Sequence, residues 1–272
     1  MLFVVTGTPR SGTQYASRLM TALGLPCDHE KTFRPLVSVA NIVRWPTLDI
    51  GEASWMGWSL LPLMVGHRVP VLHTLRNPWS VIDSLTNRNH ILNPLVHSDS
   101  SLQGVREIIN AYLPGLFARD RRVDRAAALV LGWNRLIAEH VPDRYRCVYY
   151  VDRLDIPMVR KMLAYLNYPA ADVLDISDDQ IDSALADIST STNSGFTIDS
   201  VPGVSDPDVA EWIAQYAKAN NVGRISTCKI RDVAARQTPE ELVEQMDPEL
   251  AERVNAYAAC HGYPTYDLAA VA

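Results

Sequence analysis

Leu2 to Thr6 is an unbroken β-prone run that stops at Gly7, the pattern of a parallel strand buried on both faces. From Thr13 the period changes. Ala16, Leu19, Met20 and Leu23 recur at i, i+3, i+4 and i+7, the single apolar face of a helix that Gly24 can end. The same grammar returns at Val69 to Leu75, a second strand, followed by Arg76, Asn77 and Pro78. There Asn77 is placed to cap a helix and Pro78 to occupy its first position, with Val81, Ile82 and Leu85 as its apolar stripe. Ala126, Leu129, Val130, Trp133 and Ile137 mark a further amphipathic helix, and Tyr145 to Val151 reads as a third buried strand after the break at Pro142.

Strands alternating with helices predict an α/β fold, P-loop-like and three-layered, with a mostly parallel central sheet flanked by helices. The chain is expected to form a single domain over 1–272. Residues 189–207, rich in Ser, Thr, Asn, Gly and Pro, are expected to be irregular. C-terminal helices are expected over 239–261, where Thr238-Pro239-Glu240-Glu241 has the form of a capping box, with Leu242, Val243 and Met246 behind it. No internal repeat is visible.

Composition narrows the class. A chain of 272 residues with 47% hydrophobic content buries a sizeable core, and its formal charge of -6 argues against a general nucleic-acid binder. Cys27, Cys147, Cys228 and Cys260 are far apart, with no C-x-x-C spacing, so buried or half-buried free thiols are expected, and no zinc cage or redox pair. The apolar start lacks a basic leader, and Trp55 to Val65 is too short to span a bilayer. A cytoplasmic protein without a membrane span is the expectation; oligomeric state is not readable.

Gly7-Thr8-Pro9-Arg10-Ser11-Gly12-Thr13-Gln14 joins the first strand to the first helix. Such a loop aims backbone N–H groups and the positive helix end at whatever lies before it, which suits a phosphate or sulfate. Gly7 and Gly12 match the glycines of a Walker A loop, but Thr13 stands where its Lys belongs and Gln14 where Ser or Thr belongs. The cation lies inside the loop instead, at Arg10, where a guanidinium can make paired charge-assisted bonds.

Thr8-Pro9-Arg10-Ser11-Gly12-Thr13 resembles the 5′-phosphosulfate loop of sulfotransferases that use 3′-phosphoadenosine-5′-phosphosulfate (PAPS). A second signature of that family, an Arg at a strand end, then Pro, then a Ser in the next helix, is matched by Arg76, Pro78 and Ser84. Looser likenesses to bacterial members lie at Cys27-Asp28-His29-Glu30, Glu52-Ala53-Ser54-Trp55, Gly132-Trp133-Asn134, Asn193 and Gly262-Tyr263. The resemblance implies that Arg10, Ser11, Gly12, Thr13 and Gln14 hold the 5′-phosphosulfate and that Arg76 and Ser84 hold the 3′-phosphate. It implies PAPS as co-substrate, PAP (3′-phosphoadenosine-5′-phosphate) as product, and a small-molecule, carbohydrate or lipid acceptor.

In-line sulfuryl transfer needs positive charge where the leaving oxygen becomes negative, the expected role of Arg10. A neutral acceptor also needs a base. Glu30 is the first candidate, His29 the second and Glu52 the third. Trp45, Trp55 and Trp58 are read either as an acceptor wall or as core, Trp133 as core, and Asn134 as a surface residue or one that orients base or acceptor. The alternatives are a P-loop nucleotide kinase or NTPase, which the missing Lys disfavours, and a non-catalytic nucleotide-binding protein of the same fold.

Overall fold

Five short strands form one parallel sheet: β1 (Val4–Thr6), β2 (Cys27–His29), β3 (Gly51–Ala53), β4 (Val71–Leu75) and β5 (Arg146–Tyr150), in the order β2-β3-β1-β4-β5. These are features of a computed structural model, which describes residues 2–33, 50–60, 62, 66, 68–88, 92, 100–166, 176–188 and 236–267. The chain divides into two compact units, one of Met1–Asn193 with Arg236–Ala272 and one of Ser194–Ala235. The second unit lies outside the described residues, as do the stretch 189–207 with Asn193, the residues Trp45 and Cys228, and the side chain of Trp58.

Register fixes the sheet. Val4, Val5 and Thr6 of β1 lie opposite Val71, Leu72 and His73 of β4, and Val4 and Val5 lie opposite Glu52 and Ala53 of β3. Alternate side chains then face opposite layers. Val4 and Val71 join one core with Trp79, Ile82, Leu129, Trp133 and Val254, while Phe3, Val5, Leu72 and Tyr149 join the other with Leu19, Met20, Val159 and Met162.

The helices of those layers are α1 (Thr13–Ala22), α2 (Pro78–Arg88), α3 (Ser100–Tyr112), α4 (Arg122–His140), α5 (Ile156–Leu166), α6 (Asp178–Asp187), α7 (Pro239–Gln245) and α8 (Pro248–Cys260). This is the α/β architecture read from the alternation of periods, with helices on both faces of a parallel sheet. Asn77 Oδ1 accepts from Trp79 N at 3.0 Å, capping α2 with Pro78 in its first turn. The capping box at Thr238 and Glu241 is present, and Ser177 with Gln180 forms another before α6. Pro248 begins α8 behind the Asp247 cap.

Cys27 and Cys147 are buried, but Cys260 is exposed, contrary to the expectation of buried or half-buried thiols, because it ends α8 on its solvent side. Among the described residues no helix is long and apolar enough to cross a membrane.

Candidate active site

The strand order changes direction between β1 and β4: from β1 the chain fills β2 and β3 on one side, then crosses to β4 and β5 on the other. Open α/β sheets bind ligands in the crevice outside the carboxyl ends of strands at such a point. The loop after β1 carries Arg10, and the loop after β4 carries Arg76.

The first loop is tightly specified. A Cβ on Gly7 would stand 2.5 Å from both Ser11 Oγ and Thr74 O, so only glycine lets the chain leave β1 this close to β4. Gly12, the residue before α1, has φ 103, and a Cβ there would meet Val151 Cγ2 at 2.8 Å. Arg10 also takes a left-handed φ, 72, a conformation that costs a non-glycine residue about 1–2 kcal/mol and is over-represented at ligand sites. Thr74 Oγ1 donates to Ser11 O at 3.1 Å and ties the loop to β4. Ser11 Oγ is enclosed at the centre of the turn without a hydrogen-bond partner.

Three sequence-predicted residues meet here. Arg10 Nε donates to Ser84 Oγ at 2.8 Å, and Arg76 Nη1 donates to Arg10 O at 3.4 Å. The spacing of Arg76 and Ser84 could not show that their side chains share a site with the first loop. Burial lowers the Arg76 pKa from its ordinary value, with Asp152 and Tyr263 acting against that shift and Arg236 adding to it.

The base candidates stand at the other end of the first loop. His29, the last residue of β2, is hydrogen-bonded through Nε2 to Thr13 Oγ1 at 3.3 Å, next to Gly12. Glu30 follows in a left-handed turn with φ 52, its N–H donating to Ala53 O and its Oε1 4.0 Å from His29 Nε2. Burial, then the nearby Glu52, raises the Glu30 pKa, while burial, then Arg18, lowers that of His29.

Glu52 is 1% exposed, and its Oε1 accepts from the amides of Thr32 and Phe33 at 3.0 and 3.3 Å, fixing the chain just beyond Glu30. Burial raises its pKa and those amides oppose the rise. Gln14 is exposed on the first turn of α1.

Trp55 packs in the core against Trp133, ring centroids 5.4 Å apart, and its carbonyl accepts from Trp133 Nε1. Asn134 is not a surface residue. It is buried, with Oδ1 3.0 Å from Nε2 of His73 in β4. Sequence reading also missed Asp152 and Tyr263 beside Arg76. Asp152 follows the end of β5, a position that the sheet-edge rule points to once β5 is recognised. Tyr263 carried only the loose Gly262-Tyr263 likeness. Among the described residues no cluster of His, Cys, Asp and Glu is placed to hold a metal ion.

No family model and no curated protein matches the chain. Among solved structures it is similar to mouse sulfotransferase SULT7A1 complexed with PAP, at 15% identity and a TM-score of 0.45, over 95% of this chain and 88% of that one.

Proposed function

We propose that this chain is a sulfotransferase that moves a sulfuryl group from PAPS in line to a hydroxyl or amine of a small-molecule, carbohydrate or lipid acceptor in the cytoplasm. The observation that carries the reading is the meeting of Arg10, Arg76 and Ser84 at the sheet's switch point, beside a glycine-bounded loop. A donor with two anionic groups needs more than one cation, and the cluster joins Arg10 of the first loop to Arg76 and Ser84 of the second. The unpartnered Ser11 hydroxyl fits an anion held by the first loop.

In this reading Arg10, Ser11, Gly12, Thr13 and Gln14 hold the 5′-phosphosulfate, and Arg76 and Ser84 hold the 3′-phosphate. Bound PAPS supplies the activated sulfuryl group. Arg10 offers its guanidinium to the oxygen that becomes negative, a contact worth more as the transition state is reached. Glu30 accepts the acceptor's proton. Its raised pKa brings a carboxylate closer to the operating pH, where general-base catalysis is most effective. His29 is the second candidate, and Glu52 is committed to the backbone of the turn.

The test is transfer of radiolabelled sulfuryl from PAPS across a panel of phenols, sugars and lipids. Arg10→Ala should lower kcat at least about a hundredfold, while Arg76→Ala should mainly raise the KM for PAPS. Normal kinetics in both variants would refute the assignment.

A further inference from the structure

Arg76 lies next to a carboxylate without closing on it. Asp152, in the turn Val151–Arg153 after β5, accepts from Asn77 N through Oδ2 at 2.9 Å, which anchors it one residue from Arg76. Its other oxygen, Oδ1, accepts from Tyr263 Oη at 2.6 Å. No ion pair joins Arg76 and Asp152, and the Arg76 side chain donates to Arg10 O.

Tyr263 is held in place with care. Gly262 takes φ 66 after α8, Tyr263 N donates to Ala258 O at 2.8 Å and Gly262 N to Ala259 O at 3.0 Å, the paired bonds of a Schellman motif. The Arg153 guanidinium then stacks 4.0 Å above the Tyr263 ring and donates to the carbonyls of His261 and Gly262. Tyr150 meets the Tyr263 ring edge-on, with centroids 6.0 Å apart. Burial raises the phenol pKa, so Tyr263 remains a donor.

We infer that Tyr263 sets the anion affinity of Arg76: its hydroxyl holds the Asp152 carboxylate on the C-terminal tail and keeps it from pairing with the guanidinium. A carboxylate freed on one oxygen is open to the neighbouring guanidinium, whose charge it already influences, because Arg–carboxylate pairs are among the strongest charge-assisted contacts. Once paired, Arg76 is withdrawn from a phosphate. Tyr263 is therefore a positioning residue for donor binding, although it touches neither Arg10 nor Ser84. The inference rests on the reading that Arg76 holds the 3′-phosphate.

Calorimetric titration of the 272-residue chain and its variants with PAP tests it. Tyr263→Phe keeps the ring beneath Arg153 and removes only the hydroxyl; it is expected to weaken PAP about tenfold. Adding Asp152→Asn to that variant removes the competing charge and should restore affinity to within about threefold of wild type, or better. A merely structural hydroxyl gives the opposite order, with the double variant weaker than the single. That order, or unchanged binding by Tyr263→Phe, overturns the inference. Arg76→Ala separates the two levels: a wild-type chain that does not bind PAP, or an Arg76→Ala chain that binds it equally well, sinks the donor reading and this inference with it.

Discussion

Glu30 and His29 sit side by side, and their surroundings push their pKa values in opposite directions: Glu30 up, His29 down, each chiefly by burial. If Glu30 is the base, activity needs its carboxylate. The rate should therefore rise with pH through a pKa above the ordinary 4.5 of a free carboxyl. Glu30→Gln should keep PAP binding and lose about a hundredfold or more in kcat, together with that pH limb. His29→Asn, which removes the imidazole bonded to Thr13 and its 4.0 Å approach to Glu30, should cost less. An active Glu30→Gln beside an inactive His29→Asn would move the base one residue. The sequence named both residues and the whole first loop because those positions form contiguous motifs. It ranked Glu52 third but could not show what occupies its carboxylate, since the two amide donors at Thr32 and Phe33 come from a turn that carries no periodic signal.

The strands that sequence reading recovered are those that lie within continuous apolar, β-prone runs. β1 at the centre of the sheet, β4 beside it and β5 at one edge are announced by their apolar runs. β2 and β3 have three residues each and include Asp28, His29 and Glu52, so polar side chains break the apolar pattern. Helix α6 was missed although Ser177-x-x-Gln180 is a capping box, because the apolar stripe behind it is thin.

His73 on β4 shows how an element is tied to its neighbours. Nδ1 accepts from Arg146 Nη1 of β5 at 3.4 Å and Nε2 donates to Asn134 Oδ1 of α4 at 3.0 Å, so the buried ring is neutral. Burial, first, and the nearby Arg146 and His261 hold its pKa down at about 4, against 6.5 for a free His. A group with a depressed folded pKa contributes its full stability above the unfolded value and loses it as pH falls toward the folded one. Stability should accordingly drop by about 3 kcal/mol between pH 6.5 and pH 4 from this residue. His73→Gln, which does not titrate, should flatten that part of a urea-unfolding profile. Equal slopes in the two chains would show that His73 is not responsible.

At the scale of the whole molecule, a net charge of -6 gives little attraction for anions, so a site for an anionic donor must be built locally. The parallel order β2-β3-β1-β4-β5 brings the loops after β1 and β4 to one crevice, where Arg10, Arg76 and Ser84 converge, and the proposed donor would rely on that convergence. The sequence indicated both loops but not their meeting, since strand order is set by packing between distant segments. The most direct measurement is a thermal-shift comparison of PAP and ATP at equal concentration, because a ligand bound to the native state raises the unfolding midpoint by mass action. The account predicts a larger shift with PAP, through a 3′-phosphate that ATP lacks, and no need for magnesium. Equal shifts, or a shift that appears only with magnesium, would contradict it and point to a nucleotide kinase.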